Sequence, residues 1–157
     1  MKFQKPVVVG SGSWGTALAV FLANKCPQVH LIGRDEKVTA AINSTHCNER
    51  YLPNSTLPQN LVATTDLSLV TKADLLLFVV PTKATRSTAE KLVPLNIPAS
   101  AVILSCAKGI ELETGKRMSQ IIGDYFPSNQ IAVLSGPNHA EEIAEGLPAA
   151  ATIGCSN

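Results

Sequence analysis

An α/β fold, with a mostly parallel sheet covered by helices on both faces, is predicted by three features of this 157-residue chain. Short apolar runs alternate with helical patterns along its length, the rhythm of successive strand–helix–strand units. The core is aliphatic: 45% of residues are hydrophobic but only 4% aromatic, which suits Val, Ile, Leu and Ala strands buried on both faces. Finally, the first apolar run ends directly in a glycine-rich turn, GSGSWG at residues 10–15.

Taken in order, PVVVG at residues 6–10 reads as a buried first strand and residues 14–25 as a helix. VHLI at residues 29–32 is a second strand, followed by a helix over residues 36–43. Residues 43–60 are polar and interrupted by proline, an extended excursion before a short third strand at residues 61–63. DLLLFVV at residues 74–80 is the clearest strand, with one charge at its very start. Residues 94–100 form a turn before the strand AVILS at residues 101–105. A helix around residues 116–124 leads to the strand IAVL at residues 131–134, and a further helix starts near Asn138 or His139. Residues 149–153 add a last strand. The length fits one domain, residues 1–157.

Bulk properties exclude several function classes. A formal net charge of +1 offers no field for nucleic acid or an anionic membrane, so any anion must be bound locally. The four cysteines (Cys26, Cys47, Cys106, Cys155) form no CxxC pair and no histidine stands at metal spacing, which predicts reduced thiols and no metal site. The chain shows no signal peptide and no apolar stretch of spanning length, so the expected location is the cytoplasm, without membrane insertion.

The glycine turn carries the chemistry. Gly10 permits a tight turn, Gly12 lets backbone approach a pyrophosphate, and Gly15 allows close helix–strand contact. Free N–H groups and the positive end of the helix dipole then face the phosphates, with Ser13 adding its N–H or hydroxyl and Trp14 beside it. With strand and helix on either side, the turn is read as a dinucleotide site of the Rossmann type. About twenty residues on, the second strand ends in Gly33, Arg34 and Asp35. Gly33 stands where an acid would hold the ribose hydroxyls of NAD and repel a 2′-phosphate. Arg34 can pair with such a phosphate or stack on adenine, so NADP is tolerated and the cofactor is written NAD(P)H. Asp35 either serves the ribose or caps the following helix.

Lys108 follows the strand at residues 101–105, at the carboxyl edge where ligands bind in open α/β sheets, and is followed by Gly109. A lysine there can neutralise a phosphate or polarise a carbonyl oxygen as hydride arrives. Thr82, in the turn VPT, is either a direct contact or part of an ordinary strand-ending proline turn. Asn138, in SGPN at residues 135–138, can cap the helix that follows, which does not exclude binding.

Five segments in one order carry a family resemblance: GSGSWGTALA at residues 10–19, NERYLP at 48–53, VVPT at 79–82, KGIE at 108–111 with Thr114 and Gly115, and LSGPNHAEE at 134–142 with LPA at 147–149. Together they resemble the cofactor domain of NAD(P)-dependent glycerol-3-phosphate dehydrogenase over nearly the whole chain. The resemblance implies hydride transfer between NAD(P)H and dihydroxyacetone phosphate, giving sn-glycerol 3-phosphate for phospholipid and other lipid metabolism, by a homodimer. It implies that Gly10, Gly12, Ser13, Trp14, Gly15, Arg34, Lys108 and Ala140 hold the cofactor, and that Lys108, Gly136 and Asn138 hold the phosphate substrate. Many relatives carry Ser or Thr at the position of Asn138. The acid–base lysine is implied to lie in a second, helical domain that this sequence does not include. These residues alone are therefore expected to bind cofactor weakly and not to turn over, with no catalytic residue among them.

Two tempting sites are set aside. His139 beside Glu141 and Glu142 suggests a triad, but no nucleophile elbow accompanies it, and acids in a first helical turn favour the dipole. Cys106 reads as a small buried hydrophobe. Two other readings remain: a different dehydrogenase with a helical partner domain, of the ketopantoate reductase or 3-hydroxyacid dehydrogenase type, and a dinucleotide-sensing module without chemistry.

Overall fold

A computed structural model describes residues 3–155. Its main sheet has seven strands in the order β5-β2-β1-β6-β7-β8-β9. These are β1 (Pro6–Val9), β2 (Val29–Ile32), β5 (Leu61–Thr64), β6 (Leu75–Phe78), β7 (Val102–Ser105), β8 (Gln130–Ser135) and β9 (Thr152–Cys155). All neighbours pair parallel except β8 and β9, which pair antiparallel. Helices α1 (Ser13–Ala23), α2 (Glu36–Thr45), α3 (Thr85–Leu92), α4 (Met118–Tyr125) and α5 (Ala140–Ala144) complete the layers. The doubly wound α/β class is thus the one observed.

Every residue of β1 and of β6 is buried, as strands covered on both faces must be. Alternate side chains feed two cores. Val8, Leu31, Leu77 and Leu104 pack with Leu18, Ala19 and Ile42 on one face. Val7, Val9, Phe78 and Ile103 pack with Ala89, Leu92 and Ile122 on the other. The chain winds outward from β1 through β2 to β5, then crosses back and winds the other way from β6. The reversal falls between β1 and β6, and crevices form at such a point on the carboxyl side. The parallel ladder continues one residue past these strands: Gly10 N–H donates to Ile32 O, Val79 N–H to Val9 O and Cys106 N–H to Phe78 O, each at 2.9 Å. The loops after β1, β6 and β7 therefore leave the sheet at one level.

Three expectations are corrected. The excursion at residues 43–60 contains a second, two-stranded antiparallel sheet, β3 (Cys47–Asn48) with β4 (Leu52–Thr56), turned back on α1. The helix α3 was not anticipated: TRSTAEKL is mostly polar and buries only Thr85, Ala89 and Leu92. The last strand begins three residues later than expected, at Thr152, because residues 150–151 pass over Gly136 before pairing begins. Elsewhere strand and helix ends shift by one or two residues: DLLLFVV is strand only over Leu75–Phe78. Among the described residues no helix is long and apolar enough to cross a membrane.

Candidate functional site

The turn between β1 and α1 is shaped by close backbone approach. Gly10 has a φ of +120°, and a Cβ on it would lie 2.2 Å from the carbonyl oxygen of Val79, at the end of β6. A Cβ on Gly15 would lie 1.8 Å from the Gly10 carbonyl oxygen. Only glycine satisfies either position. Gly12 differs: nothing lies within 4 Å of the Cβ it lacks, so its open side faces the space where a ligand can approach. The first amide of α1 to find an acceptor within the helix is that of Thr16, on Gly12 O at 2.9 Å. The amides of Ser13, Trp14 and Gly15 are left over at the helix start, the usual condition of a first turn. No acidic side chain stands in this turn, so nothing competes for those amides. Trp14 is half-buried and packs against Ala17, Leu52 and Ala140 as well as the β-sheet core, which anchors the start of α1.

At the end of β2, Gly33 is buried, and a Cβ on it would meet Ser11 Oγ at 2.6 Å and Thr39 Cγ2 at 3.0 Å. An acid there would have to displace the Ser11 hydroxyl and crowd Thr39. Asp35 turns out to be the N-cap of α2, its Oδ1 accepting from the amides of Lys37 (3.0 Å) and Val38 (3.4 Å). Its other oxygen accepts from Arg50 Nη1 at 3.3 Å. Asp35 is thus engaged on both oxygens, which resolves the two readings left open for it in favour of capping. Arg34 is exposed, and its side chain has no hydrogen bond or ion pair among the described residues.

The structure brings Lys108 and Gly136 together. Lys108 Nζ donates to Gly136 O at 2.6 Å, joining the loops after β7 and β8. An ammonium has three donors, so two remain for a ligand. Thr82 sits beneath this lysine: its hydroxyl donates to Lys108 O at 3.2 Å. Gly136 is packed too closely for any side chain, with Asn138 Nδ2 at 2.6 Å and Ala150 O at 2.7 Å from a Cβ placed there. Asn138 therefore lies against Gly136, next to the lysine contact. It does not cap the helix: the N-cap of α5 is His139, which makes no side-chain capping bond. Ala140 buries its methyl with Ala17 and Leu52, so only its backbone is left for a ligand. Between the two loops lies a cleft of about 360 Å³ lined by Ser105, Lys108, Arg117, Met118, Val133 and Ser135.

The Lys108 loop is tied down by residues that the sequence reading did not single out. Arg86 of α3 makes a two-pronged contact with Glu111, Nε to Oε1 at 2.9 Å and Nη2 to Oε2 at 2.7 Å. Thr114 also donates to Glu111, and Arg86 Nη1 donates to Tyr125 Oη at 3.3 Å. These donors hold the Glu111 carboxyl well below its ordinary range, at about 2, the Arg86 hydrogen bond being the largest cause. Arg86 is the second residue of α3, a mostly polar helix with a thin buried face. Its one local signal is the i, i+4, i+7 spacing of Thr85, Ala89 and Leu92.

Cys106 is buried, and desolvation pushes its thiol up to about 12, which suits a packed side chain and not a nucleophile. His139 is exposed, and no carboxylate among the described residues is paired to it.

A dinucleotide fits the first of these arrangements on three counts: unpaired amides at the start of α1, the open side of Gly12, and a turn placed at the reversal of strand order. Comparison with known proteins agrees. Residues 5–157 match the family model for the N-terminus of NAD-dependent glycerol-3-phosphate dehydrogenase. Glycerol-3-phosphate dehydrogenase [NAD(P)+] of Streptomyces griseus is 44% identical over 98% of this chain and 46% of its own length. The Brucella canis enzyme of the same description is 42% identical, with 98% and 47% covered. A crystal structure of glycerol-3-phosphate dehydrogenase from Coxiella burnetii superposes with a TM-score of 0.89 at 30% identity, covering 98% of this chain and 47% of that one. The chain spans about half the length of these relatives. With the family model matched over nearly its whole length and the glycine turn built as a dinucleotide site requires, the chain belongs to the family of NAD-dependent glycerol-3-phosphate dehydrogenase N-terminal domains.

Proposed function

We propose that these residues hold NAD(P)H and present it to a three-carbon phosphate, dihydroxyacetone phosphate in one direction and sn-glycerol 3-phosphate in the other. The cofactor supplies or accepts the hydride; the chain's own residues bind, orient and place charge. The turn at Gly10 brings Gly12, Ser13, Trp14 and Gly15 to the pyrophosphate and the adjoining ribose, which they take with backbone amides at the electropositive end of α1; the Gly10 amide itself stays in the sheet ladder. Arg34, with no partner of its own, takes the adenosine end and accepts a 2′-phosphate where there is one. Lys108 faces both ligands, with Gly136 and Asn138 beside it on the substrate side and the Ala140 backbone on the cofactor side.

The observation that carries this reading is the 2.6 Å contact between Lys108 Nζ and Gly136 O. It puts a cation with spare donors where two loops meet at the carboxyl edge, the level at which the glycine turn opens. A lysine so placed is suited to neutralise a phosphate or stabilise charge on a carbonyl oxygen. The resemblance puts the acid–base lysine outside these 157 residues, so on their own they are proposed to bind cofactor without turnover. The homodimer and the cytoplasmic location belong to the same proposal for the intact enzyme.

Titration of NADH and NADPH into the wild-type chain and Arg34→Ala tests the cofactor half. Micromolar to millimolar binding of both by the wild type is expected. A loss confined to NADPH in the variant means 2′-phosphate pairing, and an equal loss for both means adenine stacking. Failure of the wild type to bind either cofactor overturns the reading. Reduction of dihydroxyacetone phosphate by this chain alone would refute the claim that it does not turn over.

A further inference from the structure

Asn48 is buried to 1% exposure, yet it sits in a polar, proline-interrupted stretch, on β3. Its amide nitrogen donates twice across the fold: to the carbonyl oxygen of Ser11 at 3.0 Å and to Thr16 Oγ1 at 2.8 Å. Both acceptors belong to the glycine turn and the first turn of α1, more than 30 residues away (|i−j| of 37 and 32). Its amide oxygen is buried without a partner. An unsatisfied buried oxygen is costly, and a small apolar residue would avoid the cost. What the site gains in exchange is the pair of N–H donors.

We infer that Asn48 is a positioning residue for the cofactor: it sets the direction of the turn's amides, and so the affinity for the pyrophosphate. The inference rests on the proposed cofactor reading and deepens it. The reason is geometric. In a planar trans peptide the carbonyl and the next residue's N–H point opposite ways. Pinning Ser11 O onto the buried Asn48 amide therefore turns the Gly12 N–H away from it, in a turn where the Cβ that Gly12 lacks would meet nothing within 4 Å. Gly12 O is likewise turned inward, held by the Thr16 amide, which directs the Ser13 N–H outward. With Ser11 O unpinned, that peptide is free to rotate, since Gly12 on its far side carries no side chain to restrain it. The second donation, to Thr16 Oγ1, fixes the amide plane so that the first is not lost by rotation. The hairpin of β3 and β4 thus acts as a brace reaching from outside the motif.

The variants Asn48→Asp and Asn48→Ala separate donors from shape. Asp keeps the outline but replaces both donors with acceptors. Amide hydrogen exchange and amide chemical shifts of Ser11, Gly12 and Ser13, measured without ligand, are expected to change in both variants. NADH and ADP-ribose affinities are expected to fall about tenfold or more, and equally, because both ligands carry the pyrophosphate. Ile122→Val, which loosens the core on the opposite face of the sheet, controls for general destabilisation and is expected to leave both affinities unchanged. The inference is overturned if Asn48→Asp binds like wild type, if the turn amides do not respond, or if Ile122→Val weakens binding as much at the same loss of melting temperature. Should the wild-type chain bind no dinucleotide at all, the cofactor reading fails, while the ligand-free amide measurements still decide whether Asn48 braces the turn.

Discussion

The turn at residues 10–15 and the loops bearing Lys108 and Gly136 leave the same sheet edge but are constructed differently. In the turn the groups offered to a ligand are backbone amides, and the constraint is absence of side chains: 2.2 Å between Val79 O and a Cβ on Gly10, 1.8 Å between Gly10 O and a Cβ on Gly15. In the loops the offered group is a flexible ammonium. Its position depends on Gly136, 28 residues away, and on a carboxylate held from α3. The turn is thus intolerant of added volume, and the loops of lost partners.

The sharpest way to break this contrast is Gly15→Ala. The added methyl meets a backbone oxygen, not a movable side chain, so either α1 or the turn must shift. Overpacking of this kind costs about 1–3 kcal/mol or more. A lowered melting temperature and at least about a hundredfold loss in NADH affinity are expected, measured by thermal denaturation and calorimetric titration. Unchanged binding would mean that the phosphates do not use this turn. Next in size is Gly12→Ala. Its φ of −73° suits any residue, and the new methyl meets nothing in the fold. Melting should stay within a degree or two of wild type while NADH affinity falls about tenfold, because the methyl enters the space proposed for the phosphates. Loss of stability without loss of affinity would place the ligand elsewhere.

For the loops, Arg86→Ala is expected to speed amide exchange over residues 107–117 several-fold, since Glu111 then loses its two-pronged partner. Exchange at residues 11–15 should stay unchanged. If both segments respond together, the two regions are one cooperative unit, not two separately constrained ones.

The same difference explains what could be read from the chain without coordinates. A glycine turn between a strand and a helix is a local pattern whose mechanism needs only its neighbours, so Gly10, Gly12 and Gly15 were legible. The apolar runs likewise reveal β1 and β6, which are buried throughout and carry no polar residue, and β2 and β7, which carry one each, His30 and Ser105. The hairpin of β3 and β4 was not legible: it buries Asn48, Leu52 and Ser55, two of them polar, around an exposed Pro53. α3 hid for a similar reason, and with it Arg86. The start of α5 at an uncapped His139, not at Asn138, and the occupation of both Asp35 oxygens are tertiary outcomes that spacing alone cannot decide.

The smallest expected effect concerns pH. Glu111 titrates near 2 in the fold against an ordinary value of 4.5, so the folded state favours its charged form. A depressed carboxylate stabilises fully above the ordinary value, and that contribution drains away as pH falls toward the folded value. Glu111→Gln cannot titrate. The melting-temperature gap between wild type and Glu111→Gln should therefore be constant above about pH 5, narrow steadily below 4.5, and approach its minimum near pH 2. Arg86 is one-third exposed (34% of its side chain), so solvent and salt screen the pair, and the gap should be modest and shrink in high salt. A gap independent of pH would show that Glu111 acts through shape or neutral hydrogen bonds. The Lys108 loop would then be held by packing, as the glycine turn is, and not by charge.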